Sequence, residues 1–202
     1  INVLLNGMRI FGACTDRMDP VTSYAETTNL EKISIDKGGD ANCHTNASGG
    51  CVNMELRSSI LHSDNLTSAK GGASFFGNTK GINSFLGIDH SREKFGIQVQ
   101  GAVRKHGNYF AGGGKEIIYS QYQKFNFTTN AVYKLSSRET IRFELLIDEA
   151  RDIGYPALPM DVSLAKANVA GFTYSIFNLN KVEQLTIKLY GNKIHHVMDD
   201  SQ

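Results

Sequence analysis

Four side chains in this sequence have the types and spacing to hold a soft metal ion. Cys14 and Met18 stand near the start, in the run Cys14-Thr15-Asp16-Arg17-Met18, and His196 and Met198 near the end, in His196-Val197-Met198. A thiolate, two thioethers and an imidazole form a soft donor set. It favours Cu(I) over hard cations, with Cu(II) the alternative form at first capture. The thiol binds only after losing its proton, so affinity falls with acid. Taken singly, each residue has an ordinary use: a free cysteine packs as a small hydrophobe and a methionine fills gaps in a core. Only a fold that brings the two ends together makes them a site. No nucleophile–base pairing and no acid–base pair stands out elsewhere, so no enzymatic reaction is expected. Gly112-Gly113-Gly114-Lys115-Glu116 lacks the spacing of a phosphate loop, and its Lys is followed by Glu.

Each pair needs an element to aim it. Cys14 and Met18 face the same way if their segment makes one helical turn, and Pro20 discourages a longer helix. His196 and Met198 share a face if they lie on a strand. Most of the chain between them reads as strand. Phe95, Ile97, Val99, Gly101 and Val103 alternate with Gly96, Gln98, Gln100, Ala102 and Arg104. Phe125, Phe127, Thr129, Ala131, Tyr133 and Leu135 alternate with Lys124, Asn126, Thr128, Asn130 and Lys134. Ile141, Phe143, Leu145 and Ile147 follow, and then Leu185, Ile187 and Leu189. Strict period two puts apolar groups on one face and polar groups on the other. Weaker strands fit Thr67–Phe76, Ile82–Asp89 and Phe172–Phe177, which makes about seven in sequence.

The connections sort by length. Short polar ones fall around His90–Lys94, Ser136–Glu139 and Leu179–Glu183, and longer ones at His106–Ile118 and at Asp152–Ala170, with Pro156 and Pro159. Short turns at one end and long loops at the other, joined by alternating strands of about 10 residues, are the pattern of an outer-membrane barrel. A soluble β-sandwich also alternates, but its strands run to about 5–6 residues and it buries its apolar face. Residues 58–202 are therefore expected to be the first strands of a transmembrane antiparallel β-barrel. Residues 1–57 differ: short strands at Ile1–Leu5, Lys32–Asp36 and Val52–Leu56 are separated by turns such as Asn6-Gly7.

Composition agrees. The chain has 202 residues and a formal net charge of +1, so no nucleic-acid footprint is evident. Glycine is abundant at 20 residues, proline scarce at 3, and tryptophan absent, which suits long strands and tight turns. No apolar run approaches the roughly 20 residues of a transmembrane helix, and no signal peptide opens the chain. Because Ile1 begins a strand-like run at once, and because seven strands leave edges that lipid does not tolerate, the chain reads as an internal piece, with further strands after Gln202. There are three cysteines. Cys43 and Cys51 flank a Gly/Ser/Asn-rich loop and either bridge in an oxidising compartment or stay unpaired. If they bridge, Cys14 is left as a reactive thiol or metal ligand.

The first region resembles the later part of the plug domain of TonB-dependent outer-membrane receptors. The resemblance rests on Leu5-Asn6-Gly7-Met8, on Leu30-Glu31-Lys32-Ile33-Ser34-Ile35-Asp36-Lys37-Gly38, and on Gly49-Gly50-Cys51-Val52-Asn53-Met54 before the barrel. Cys51 departs from the small or β-branched residue more usual there. The segment Gly12 to Tyr24 resembles the copper-receptor branch of that family. The resemblance implies that residues 1–57 are the C-terminal part of an α/β plug. It also implies a copper site at the outer top of the plug, with Cys14 and Met18 as one ligand pair and His196 and Met198 as the other. It implies import powered by TonB and its inner-membrane complex through a segment upstream of Ile1, in the bacterial outer membrane and in contact with its lipid. A surface lipoprotein or other subunit on top stays open. The alternatives are the same fold importing an iron chelate or haem, or a soluble β-rich surface module.

Parity supplies a separate check. Leu185, Ile187 and Leu189 put odd positions toward lipid, so His196 and Met198 face the lumen and His195 faces outward. A bulge between Gly191 and His196 would reverse this. Arg104, Lys124, Lys134, Arg142, Glu144, Asp148 and Lys188 are expected to face the lumen and pair with a plug. Met8 and Met54 are expected in the plug core, and Met160 in an outer loop.

Overall fold

The computed structural model describes residues 1–13, 20–38 and 49–200. Thirteen strands form two main sheets and a small hairpin. The first sheet holds β1 (Asn2–Leu5), β2 (Met8–Arg9), β3 (Leu30–Asp36) and β4 (Cys51–Leu56), in the order β2-β1-β4-β3. The second is built from β5 (Leu66–Phe76), β6 (Gly81–Ser91), β7 (Phe95–His106), β10 (Tyr122–Lys134), β11 (Glu139–Ile153), β12 (Asp161–Leu179) and β13 (Val182–Asp199). The hairpin pairs β8 (Tyr109–Phe110) with β9 (Glu116–Ile117), between β7 and β10. The seven long strands pair antiparallel with their neighbours in sequence. Among the described residues the helical pieces are short 3-10 turns, including Val21–Tyr24 and Thr27–Asn29.

Asn6 and Gly7, at φ 50° and 74°, make the tight turn from β1 to β2. Left-handed values at both central residues are what a type I′ turn demands. In the large sheet, residues 92–94, 135–138 and 180–181 make the short turns at one end, as expected. Asn180 takes a left-handed φ of 54° in the last of these. The other end carries residues 77–80, the hairpin-bearing connection 107–121, and residues 154–160.

Two expectations are corrected here. The loop expected at Asp152–Ala170 shrinks to residues 154–160, because β12 begins at Asp161. The strand expected at Phe172–Phe177 thereby becomes the longest in the sheet, at 19 residues. The physical reason lies in Ala165, Ala167 and Val169, which are buried, the last two in the core shared with the small sheet. At this height the inward face is small and apolar while Lys166 and Asn168 point the other way, so the usual polarity of the alternation is inverted.

Elsewhere the large sheet is polar inside and apolar outside. Gln100 is 4% exposed, Asn126 2% and Asp148 2%, while Phe125 is 46%, Ile187 53% and Leu189 67% exposed. A soluble sandwich buries the opposite face. The small sheet packs against the polar face. One core joins them: Leu5, Met8, Ile10, Tyr24 and Met54 of the first 57 residues meet Leu146, Ala167 and Val169 of the wall, with Ile194 packed alongside. Met8 and Met54 occupy this core as expected. Replacing Leu146 with alanine is expected to cost about 2–5 kcal/mol. A shift in the urea midpoint of the protein refolded into vesicles is the measurement that checks it.

Candidate metal centre

β13 carries two of the four proposed ligands. Its pairing with β12 runs without interruption from Val182 to Val197. The register shift lies on β12, between Val162 and Leu164, so Gly191 hosts no bulge and β13 keeps its phase. Its even positions face the small sheet. Lys188 Nζ donates to the Asn6 carbonyl at 2.7 Å, Asn192 Nδ2 donates to the Arg9 carbonyl at 3.2 Å, and Ile194 packs in the shared core with Ile10. The N-terminal chain thus follows β13, Asn6 beside Lys188 and Arg9 beside Asn192, with Ile10 and Ile194 in one core. The next two inward positions are His196 and Met198.

His196 is half-buried, and its Nε2 is buried with no hydrogen-bond partner among the described residues. Such an atom costs free energy unless something pairs with it. Ala165 stands opposite His196 and Val162 opposite Met198, both buried, so small side chains leave room beside the pair. Met198 is half-buried on the same face. His195 is exposed, opposite Lys166 on the outer face. Cys14 and Met18 lie outside the described residues. So does Cys43, whereas Cys51 is buried and disulfide-bonded.

No group of three or more His, Cys, Asp and Glu able to hold a metal occurs among the described residues. The other buried histidine is satisfied: His106 Nδ1 meets Thr79 Oγ1 at 2.8 Å, its Nε2 meets Asn83 Oδ1 at 2.7 Å, and its ring stacks on Tyr122 at 4.9 Å. It locks the β5–β6 turn.

From Pro20 onward the chain is clamped to the large sheet. The Lys124 ammonium donates to the Ser23 carbonyl, and Asn126 Nδ2 to that of Tyr24 at 3.1 Å. Glu26, 2% exposed, is paired with Arg104 at 2.5 Å and Lys124 at 3.0 Å, and Lys124 also reaches Asp148 at 3.1 Å. Asn29 Nδ2 donates to Thr128 Oγ1, and Gln100 Nε2 to Thr28 Oγ1 at 3.0 Å. Lower down, Glu144 accepts from Asn6 Nδ2 at 2.7 Å and pairs with Lys188 at 2.6 Å. Of the inward charges read from alternation, Arg104, Lys124, Glu144 and Lys188 grip the first region, whereas Arg142 bonds Asn130 within the large sheet. Their partners Glu26, Asn6 and Asn29 were not legible in the sequence, because no periodic pattern marks an irregular segment.

No family model matches the chain, and no curated protein matches it. Solved structures do. Over 100% of its length the chain is similar to the copper transporter OprC, with a TM-score of 0.86 at 21% identity, covering 31% of that protein. It is similar over 98% to the hemophore receptor HasR of Serratia marcescens, solved with its hemophore HasA and heme, with a TM-score of 0.80 at 18% identity and again 31% of that chain. It is similar over 94% to the apoprotein of the FrpB iron transporter from Neisseria meningitidis, with a TM-score of 0.71 at 15% identity and 31% of that chain. The chain shares its fold with these transporters and receptors: a seven-stranded antiparallel sheet with a four-stranded sheet packed on its polar face. The structures it resembles are transporters and receptors, not enzymes.

Proposed function

We propose that the chain is part of a TonB-dependent outer-membrane transporter that captures copper between plug and barrel, with residues 1–57 as plug and residues 58–202 as barrel wall. Cys14 and Met18 come from the plug, His196 and Met198 from the last strand. The observation that carries this reading is the unpartnered, buried Nε2 of His196, on the inward face of β13 where the plug chain arrives from Ile10. Imidazole, thioether and thiolate suit Cu(I), and Cu(II) is the other form the ligands accept. The copper transporter among the similar structures supports the cargo, and the exposed apolar outer face supports an outer-membrane location. TonB and its inner-membrane complex supply the energy. The clamps at Glu26 and Glu144 hold the plug in place at rest.

Metal analysis of the purified receptor tests the reading. Wild type is expected to retain bound copper and the Cys14→Ala variant to lose it, with the fold unchanged by circular dichroism. Equal copper in both proteins overturns the site. Retention of an iron chelate or haem in place of copper reassigns the cargo.

A further inference from the structure

A second feature lies on the opposite face of the large sheet, at the end that carries the long connections. A cleft of about 440 Å³ opens between the β5–β6 turn, the end of β7 and the β8–β9 hairpin. Thr79, Lys80, Ile82, Lys105, Asn108 and Phe110 line it, together with Gly107 and Glu116. Three backbone-directed bonds shape it. Gly107 N donates to the Thr79 carbonyl at 3.0 Å, Phe110 N to Asn78 Oδ1 at 2.9 Å, and Tyr109 N to Ser120 Oγ at 3.0 Å. The hairpin is therefore folded back onto the turn rather than left free.

The cleft faces the membrane side. Lys105 pairs across the ladder with Ile82, which pairs with Phe75 on β5. These belong to the outward set, odd on β5 and β7 and even on β6, whose apolar members are exposed: Phe75 at 73%, Ile82 at 48%, Val103 at 46%. Lys105 is the first charged outward residue above Val103, so it marks the level where apolar surface gives way to polar. Neither Lys80 nor Lys105 has a carboxylate within ion-pair distance among the described residues. The carboxylate in the cleft, Glu116, accepts from Asn108 Nδ2 at 3.0 Å. Two ammonium groups against one engaged carboxylate leave a positive surplus directly above an apolar band. The long connections 107–121 and 154–160 share this end of the sheet, and long loops mark the extracellular side of such barrels.

We propose that this cleft binds the phosphate of an outer-leaflet lipid headgroup, with Lys80 and Lys105 on the phosphate and the acyl chains lying over Ile82 and Phe75. Lysines at a bilayer surface meet anionic headgroups while their stems cover apolar surface. The hairpin's Phe110 closes the outer side of the cleft. This site rests on the reading of the wall as an outer-membrane barrel, and its test separates the two.

The test uses the receptor purified from outer membranes in detergent, titrated with bisphosphorylated lipid A and followed by native mass spectrometry. Each surface lysine contributes about a fivefold factor in affinity. The Lys80→Gln, Lys105→Gln double variant is therefore expected to bind lipid A about thirtyfold more weakly. Lys80→Arg with Lys105→Arg keeps wild-type binding. Dephosphorylated lipid A binds both proteins as weakly as the Gln variant binds the intact lipid, and inorganic phosphate alone does not compete. Equal lipid A affinity in wild type and the Gln variant overturns the site, and so does full competition by inorganic phosphate. If the protein extracts without detergent, the barrel reading itself fails, whatever the lysines do.

Discussion

Replacing Glu26 with glutamine is expected to loosen the plug where it leaves the proposed copper site. The carboxylate is 2% exposed and answers two cations of the wall, Arg104 and Lys124, whose side chains are 28% and 12% exposed. Removing one member of a buried ionic group leaves charge uncompensated and costs about 3–5 kcal/mol. Lys124 keeps Asp148, so the larger unpaired charge falls on Arg104. The loss should appear locally, as opening of the segment from Tyr24 to Leu30. Amide exchange there is expected to accelerate on the order of a hundred- to a thousandfold, with little change in the strands. The double variant Glu26→Gln, Arg104→Gln is expected to recover part of the protection, since it removes the orphaned cation as well. Unchanged exchange in the single variant would show that these ion pairs do not hold the plug.

The second large effect is expected on the lipid face. Ile187 is 53% exposed and pairs with Tyr174 near the middle of the apolar band of β13. Arginine there meets hydrocarbon and costs about 2–4 kcal/mol. Its neighbour Thr186 faces inward, where Ser175 Oγ lies 3.1 Å from its hydroxyl. Arginine at 186 is expected to be far better tolerated. Urea titration of the refolded protein in vesicles separates the two: a larger loss for Ile187→Arg supports the assigned faces, and a larger loss for Thr186→Arg inverts them.

The large sheet was legible because one polar and one apolar face impose a period of two on side chains. Phe125 to Leu135 and Ile141 to Ile147 display it without interruption, and the strands formed there. It failed where the inward face meets plug rather than water. Ala167 and Val169 share a core with Ile10 and Met8, and Ala165 is buried beside them in sequence, so the inward side of β12 turns apolar just where Lys166 and Asn168 turn outward. Read as a sequence, that stretch lost its contrast and was taken for loop beside Pro156 and Pro159. In the plug, the turn at Asn6-Gly7 and strands β3 and β4 were visible from their own residues. The 3-10 turns after Pro20 were not, because the wall holds their carbonyls and no capping side chain does. For the site, parity alone assigned His196 inward and His195 outward. The orphaned Nε2 needed coordinates.

Four of the clamps between wall and plug share a property with a wider consequence. Lys188, Asn192, Lys124 and Asn126 donate to the main-chain oxygens of Asn6, Arg9, Ser23 and Tyr24. Every residue type carries that oxygen, so these grips recognise the path of the chain and not its side groups. Side-chain changes at exposed positions such as Arg9 and Ser23 thus leave these backbone grips in place. In the transporter proposed above, cargo selectivity and mechanical closure are therefore separable traits, and the first can diverge quickly while the second stays fixed.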